Sequence, residues 1–198
     1  MPGDTFSAMA AGETQALFER ARGGGPADLN AFYERCARKL LPLIRLRLGR
    51  TLRAEMESRD ILQSVLCKSL EKLDHVRDPA AVMGWLARIA EHEIRDQADF
   101  HQRQRRDAAR RAPLDDAASV PAPIRQALSR VILTEQAERL EQALESLPEA
   151  QRELIVLRKL EELTFPEIAA RLGKSEDACR MAFSRAMAAL TMRLGARA

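Results

Sequence analysis

From Thr164 to Leu190 the chain reads TFPEIAARLGKSEDACRMAFSRAMAAL, and this segment contains its clearest structural signals. Thr164, the proline two residues later and Glu167 form the pattern of a capping box. In this motif a hydroxyl and a glutamate satisfy each other's free backbone amides at a helix start. Gly173 follows the apolar residues of the first helix and suits a tight turn, and Ser175 supplies a new N-cap. The stretch therefore predicts a short helix, a turn and a second helix.

The second helix of this stretch has two different faces. Apolar residues spaced four, three and four apart form its buried side: Cys179, Phe183, Ala186 and Leu190. On the opposite side Glu176, Arg180 and Ser184 are spaced four apart. A helix that exposes arginine with short polar neighbours can enter the major groove and contact base edges. We therefore favour a DNA-binding helix-turn-helix over the alternative, an ordinary helical hairpin packed inside an all-α domain.

Upstream of this element the chain is also helical in pattern. A second start signal, SLPE at Ser146–Glu149, repeats the capping-box pattern and predicts a helix start near residue 147. Before it, apolar residues at spacings of four and three predict one helical stripe: Leu133, Ala137, Leu140, Leu144 and Leu147.

The first half of the chain predicts three further helices. The first runs from a cap at Asp28 to about Gly49 and bends at Pro42, and the second runs from a cap at Ser58 to about residue 75. The third begins at Asp78, with a proline at its first helical position. Residues 107–123 contain three prolines and no sustained apolar face, which is typical of a linker.

Composition and charge limit the class of protein. The 198 residues include 46% hydrophobic but only 4% aromatic side chains, which favours helix over sheet. No segment approaches the run of about 18 apolar residues that spans a membrane, and the N-terminus lacks a secretion signal pattern, so we expect a cytoplasmic protein without a membrane partner. Two basic blocks, residues 35–53 and 103–111, are either solvated faces or phosphate contacts.

The sequence gives no support for an enzyme. It contains no Gly-rich phosphate loop, no GxSxG and no HExxH motif, and no paired-carboxylate constellation. We therefore predict no catalytic residue, no cofactor, no bound metal and no small-molecule substrate.

Two parts of the chain resemble the extracytoplasmic-function (ECF) sigma factors of the sigma-70 family. The segment from Leu140 to Leu190, with ALESLPEAQRELIVL, EIAARLG and SRA, resembles their sigma-4 domain. In the first half, DILQSVL (Asp60–Leu66) and GWLARIAEHEIRD (Gly84–Asp96) resemble the core-binding helix and the promoter helix of sigma-2. The resemblance implies an all-α fold of two helical domains joined by a flexible linker. These are a sigma-2 helical bundle over residues 13–106, a linker over 107–125 and a sigma-4 helix-turn-helix domain over 126–194.

The resemblance also implies a function, namely binding of core RNA polymerase, promoter recognition, strand opening and transcription initiation. The implied partner is core RNA polymerase, through its beta-prime clamp and beta flap. The implied core-binding residues are Asp60, Gln63 and Ser64, with Asp60 and Gln63 facing the clamp helices of beta-prime. The minus-10 element is captured as a single strand, and the implied contacts with it involve Asp78, Trp85, Arg88, His92 and Asp96. Of these, Trp85 is expected to belong primarily to the hydrophobic core of the domain. The implied contacts with the minus-35 duplex involve Lys174, Ser175, Glu176, Arg180, Ser184 and Arg185. An anti-sigma factor would be a further partner.

The chain departs from the family pattern at several positions. His92 stands where Asn is usual, and Ser64 stands where Glu is frequent. The usual Thr-Val-Lys-Ser-Arg run of the recognition helix is replaced by Ala178–Ala182, in which only Arg180 is charged. These departures indicate that the promoter preference need not be the family's usual one. The alternatives are a helix-turn-helix transcriptional regulator that binds DNA without core polymerase, and a helical adaptor that binds protein alone.

Overall fold

The computed structural model describes residues 3–53, 56–106, 120–131 and 135–195, and within these ranges the chain is helical and contains no strand. The described residues form nine α-helices: α1 (Gly3–Gly23), α2 (Pro26–Arg53), α3 (Ser58–Lys72), α4 (Val82–Arg106), α5 (Ala122–Arg130), α6 (Glu135–Glu145), α7 (Glu149–Ile155), α8 (Phe165–Leu172) and α9 (Glu176–Gly195). Short 3₁₀ turns lie at Leu73–His75 and Pro79–Ala81, and α7 continues into a π-helical turn at Val156–Leu160. The prediction of an all-α fold is confirmed.

The described residues divide into two compact units, as the prediction of two helical domains requires. We call Ala16–Val131 the N-terminal unit, and Met1–Gln15 together with Ile132–Ala198 the C-terminal unit. Most of the predicted linker, residues 107–119, lies outside the described residues. None of the helices in the described part of the chain is both long and apolar enough to cross a membrane.

The core of the N-terminal unit lies between α2, α3 and α4. Each helix contributes fully buried aliphatic side chains to it: Leu40, Leu43 and Ile44 from α2, Ile61, Leu62 and Leu66 from α3, and Met83 and Leu86 from α4. The helix α2 includes Pro42, but its non-helical residue is Gly49, with φ 63° and ψ 178°. The predicted end of this helix near Gly49 is therefore a kink, after which helical residues continue to Arg53.

The fifth helix completes the N-terminal unit. Ile124 and Ala127 are buried where α5 packs against α2 and α3. Two polar contacts tie this helix down: Arg59 on α3 donates to the Leu128 carbonyl at 2.6 Å, and Arg130 pairs with Glu34 on α2 at 2.7 Å. Residues 126–131, which were predicted to belong to the second domain, thus pack against α2 and α3 of the N-terminal unit.

Helix starts in the first half differ in detail from the prediction. The helix α2 begins at Pro26, so Asp28 lies in its first turn and binds the Arg20 side chain at 3.0 Å instead of capping. The N-cap of α3 is Glu57 and not Ser58. The start at Asp78 is as predicted, because its carboxylate accepts from the Ala80 amide at 2.9 Å and Pro79 follows at the first position.

The C-terminal unit packs α6, α7 and α8 around α9. The predicted cap at Ser146 is wrong, since its hydroxyl donates to the Ala143 carbonyl at 2.7 Å and α7 begins at Glu149 with Pro148 as N-cap. The predicted apolar stripe holds at Leu144 on α6 and at Leu147 just after this helix, since both are buried. It fails at Leu140, which is 40% exposed, while the neighbouring Glu141 is 5% exposed. Leu133, the first residue of that stripe, lies outside the described residues.

Candidate nucleic-acid interface

The helix-turn-helix of the C-terminal unit forms by the local signals that predicted it. At the start of α8 the Thr164 amide donates to the Glu167 carboxylate at 2.7 Å, and the Glu167 amide donates to the Thr164 hydroxyl at 3.5 Å. The helix ends at Gly173, which has a left-handed backbone (φ 63°, ψ 36°) that favours glycine because it has no Cβ. The Ser175 hydroxyl then accepts from the Ala178 amide at 3.3 Å. The two helices are therefore joined by a short, hydrogen-bonded turn.

One side of α9 holds this helix in the unit. Its buried residues are Cys179, Phe183, Ala186 and Leu190, as the spacing predicted. The Phe183 ring meets the Phe165 ring of α8 edge to face, with 5.7 Å between the ring centroids. Because this side is packed against α7 and α8, the opposite side of α9 faces outward.

The outward side of α9 and the turn before it carry the residues predicted to contact the minus-35 element. Lys174, Ser175, Arg180, Ser184 and Arg185 are exposed, and Glu176 is partly exposed. The side chain of Met181 lies among them and is 64% exposed. This face thus combines cationic, short polar and apolar groups, which are the types that contact phosphates, base edges and thymine methyl groups.

Arg180 is held by two contacts that the sequence did not predict. Its Nε donates to the Glu176 carboxylate at 3.1 Å, and its Nη2 binds the same oxygen. The Arg180 guanidinium carbon also lies over the Phe165 ring, 4.6 Å from the centroid. The spacing of four residues between Glu176 and Arg180 could have indicated the ion pair. The contact with Phe165 joins two helices, so no local pattern reveals it.

The residues predicted to contact the minus-10 element lie along α4 and the turn before it. Arg88, His92 and Asp96 are exposed and four residues apart, so they share one face of α4. Trp85 is half-buried one turn earlier on this helix, and Asp78 is exposed at the cap of the preceding turn. The structure therefore places Arg88, His92 and Asp96 together on α4, whereas Asp78 acts locally as a helix cap.

The residues predicted to contact core polymerase lie in the first half of α3. Asp60 is exposed, and Gln63 and Ser64 are half-buried. Ser64 is a hydrogen-bond partner of Glu93, a buried carboxyl on α4. The same carboxylate also accepts hydrogen bonds from Lys68 and, at 3.2 Å, from Gln97. Burial raises the pKa of Glu93, but the hydrogen bonds from Lys68, Ser64 and Gln97 outweigh it, so the pKa lies below its ordinary value. Ser64 is thus turned towards α4.

Comparisons with known proteins assign this architecture to a family. Residues 137–190, which include the whole helix-turn-helix, match the family model described as Sigma-70, region 4. RNA polymerase sigma factor NccH of Alcaligenes xylosoxydans xylosoxydans is 31% identical over 140 residues, which cover 69% of this chain and 73% of NccH. The chain belongs to the sigma-70 family of RNA polymerase sigma factors, in its ECF group.

A second curated relative fits the same assignment. The ECF RNA polymerase sigma factor SigD of Mycobacterium tuberculosis is 32% identical over 146 residues, or 72% of this chain, and the match spans 66% of the length of SigD. A match of that length is longer than the C-terminal unit, so the sigma-factor similarity includes part of the N-terminal unit. The solved structure of CnrH in complex with the cytosolic domain of CnrY is 25% identical, covers 93% of this chain and 98% of CnrH, and has a TM-score of 0.44.

Proposed function

We propose that this ECF sigma-family chain binds core RNA polymerase and directs promoter recognition, strand opening and transcription initiation in the cytoplasm. The observation that carries the proposal is the helix-turn-helix at residues 164–190. It lies within the matched sigma-70 region 4 and presents an outward face with exposed Arg180 and Arg185. The membership of the family supports core polymerase as the partner, through its beta-prime clamp and beta flap.

In this proposal the C-terminal unit contacts the minus-35 element as a duplex. The face of α9 would lie in the major groove, where Arg180 and Glu176 contact base edges and Lys174 and Arg185 contact phosphates. Ser175 and Ser184 add short polar side chains next to them. An arginine that binds a guanine through two hydrogen bonds supplies about 1–3 kcal/mol of discrimination against other bases.

The N-terminal unit would contact core polymerase and the minus-10 element. Asp60 and Gln63 on α3 are the proposed core contacts, and Ser64 supports them indirectly through its bond to α4. The exposed face of Arg88, His92 and Asp96 on α4 is the proposed surface for the separated strand, with Trp85 beside it. The predicted limits stay a prediction: 13–106 for the first domain, 107–125 for the linker and 126–194 for the second domain. The packing of α5 favours a boundary after Val131 instead.

The proposed function is tested by reconstitution of the full chain with core RNA polymerase. A sigma factor binds core in the absence of DNA and makes core initiate at a selected promoter, and the pair is isolated by co-purification and assayed by run-off transcription. The alternative, a helix-turn-helix regulator, binds its operator without core. Specific binding of the free chain to duplex DNA, combined with no association with core, would refute the proposal. An anti-sigma factor stays a proposed partner, to be identified by co-purification from the source cells.

A further inference from the structure

On the recognition helix α9, Arg180 is held between a carboxylate and an aromatic ring. Glu176 accepts hydrogen bonds from Nε and Nη2 of Arg180, one turn further along the helix. The Phe165 ring of α8 lies 4.6 Å from the guanidinium carbon. Both contacts hold the guanidinium, a planar group that carries its N–H donors in a fixed fork.

The support beneath Arg180 is itself fixed. The Phe165 ring is 4% exposed and packs edge to face on Phe183 from the buried side of α9. The Arg158 guanidinium carbon also lies over the Phe165 ring, 5.1 Å from its centroid. A ring held by a second aromatic side chain and by the protein core cannot follow the movements of an exposed arginine, so it acts as a rigid platform.

These contacts have opposite effects on affinity and on selectivity. A carboxylate on the outward face repels DNA phosphates, so Glu176 lowers the affinity for every DNA sequence to a similar extent. A long side chain that is already ordered loses less conformational entropy when it binds, and the gain applies only where its fixed geometry matches the base. Glu176 therefore lowers the affinity for DNA of any sequence, and it raises the preference for the one base that fits the held Arg180 side chain.

We propose that Glu176, with Phe165 beneath Arg180, is a positioning residue that orients the Arg180 fork for guanine in the upstream promoter element. The inference rests on the proposed function, because it assumes that α9 enters the major groove of a promoter. It goes further by naming the residue that sets selectivity and the base that is selected. Guanine is the base whose O6 and N7 atoms match a two-bond contact with arginine.

Neighbouring Asp177 provides a matched control for Glu176. Both acids lie in the first turn of α9, so their removal has the same effect on net charge and a similar effect on the helix dipole. Glu176 binds the Arg180 side chain, whereas Asp177 is the next residue and points elsewhere on the exposed surface. Glu176→Gln and Asp177→Asn therefore differ mainly in the orientation of Arg180.

The test is selection of promoter fragments from a randomised upstream element by holoenzyme reconstituted from core and the full chain. Wild type, Arg180→Ala, Glu176→Gln and Asp177→Asn are compared. We expect Arg180→Ala to abolish a guanine preference at one position. Glu176→Gln should reduce the preference at that position by about 2- to 12-fold, the factor for immobilising one long side chain. Asp177→Asn should retain it, and both charge-removing variants should bind all fragments more tightly at low salt.

Equal guanine preference in Glu176→Gln and Asp177→Asn would overturn the inference, since only charge would then matter. Selection of the same fragments by wild type and Arg180→Ala would overturn it as well, because Arg180 would contact no base. Failure of the wild-type chain to form a holoenzyme would instead refute the proposed function. A measurement without DNA completes the test: NMR signals of the Arg180 Nε–H and side-chain protons should shift in Glu176→Gln and stay in place in Asp177→Asn.

Discussion

Replacement of Ile124 by alanine should release α5 from the N-terminal unit. Ile124 is fully buried in a helix of nine residues, and such a short helix is unstable in water without packing. Loss of a buried isoleucine side chain costs about 2–4 kcal/mol. The free energy by which a few buried side chains hold one short helix on the bundle is of the same order. We therefore expect local detachment of α5 before the rest of the unit unfolds.

Amide hydrogen exchange followed by mass spectrometry measures this detachment. The reporters are backbone amides that bond within the helix, such as Arg125 to the Pro121 carbonyl at 3.0 Å and Val131 to the Ala127 carbonyl at 3.2 Å. A loss of about 2–4 kcal/mol corresponds to roughly 30- to 900-fold faster exchange. Peptides from the core of α2 should keep the wild-type rate, because they exchange through a larger opening of the unit.

The exposed residue Ser129 on the same helix provides the control. Its hydroxyl donates only to the Gln126 carbonyl at 2.8 Å, so Ser129→Ala should leave exchange in α5 close to wild type. Unchanged exchange of α5 in Ile124→Ala would refute the packing of this helix on α2 and α3. An equal increase throughout the N-terminal unit would show that α5 does not detach separately and opens only with the whole bundle.

Three further predictions concern the proposed interfaces and one buried carboxyl. Arg180→Glu should weaken binding to the upstream element by about 1–3 kcal/mol or more, because a two-bond base contact is lost. Association with core polymerase should stay intact, and unchanged transcription from the cognate promoter would contradict the prediction. Asp60→Ala combined with Gln63→Ala should reduce core binding without unfolding, and equal competition with another sigma factor by mutant and wild type would contradict it. The pKa of Glu93 lies below its ordinary value of 4.5, so its ionised form stabilises the fold at neutral pH and this contribution disappears as the pH falls through the folded pKa. The free energy of unfolding should therefore fall more steeply below about pH 5 in wild type than in Glu93→Gln, whereas parallel pH profiles would show that Glu93 contributes nothing.

The helix-turn-helix was predictable because each of its determinants is local. Thr164 with Glu167, Gly173 and Ser175 each fix one helix end through contacts with residues three or four positions away. The buried side of α9 follows from the same periodicity. The orientation of Arg180 was not predictable, because the ring beneath it belongs to another helix.

The false cap at Ser146 shows how the preceding chain overrides a local motif. SLPE and TFPE have the same spacing of hydroxyl, proline and glutamate. Thr164 has an extended backbone (φ −72°, ψ 161°), as an N-cap requires, whereas the Ser146 amide still donates to the Gln142 carbonyl at the end of α6. Because Ser146 completes one helix, it is not available to start the next.

The packing of α5 was missed for a different reason. The prolines before Ile124 favour a linker, and this signal outweighed the apolar spacing of three and four among Ile124, Ala127 and Val131. Three apolar residues are too few to predict a helix on periodicity alone. They suffice in the structure because α2 and α3 provide a packed surface and two polar anchors.

The charge of α9 explains why this chain would depend on core polymerase to find a promoter. The outward face near the start of the helix carries the acids Glu176 and Asp177 together with Arg180. Phosphate contacts supply most of the sequence-independent affinity for DNA, and each requires a cation that is not offset by a neighbouring acid. Because Arg180 is paired with Glu176, the general attraction of this face for phosphates rests on Lys174 and Arg185. When core polymerase holds both domains near separated promoter elements, each weak contact becomes intramolecular and its effective concentration rises. We therefore expect the free chain to bind promoter DNA more weakly than the holoenzyme does.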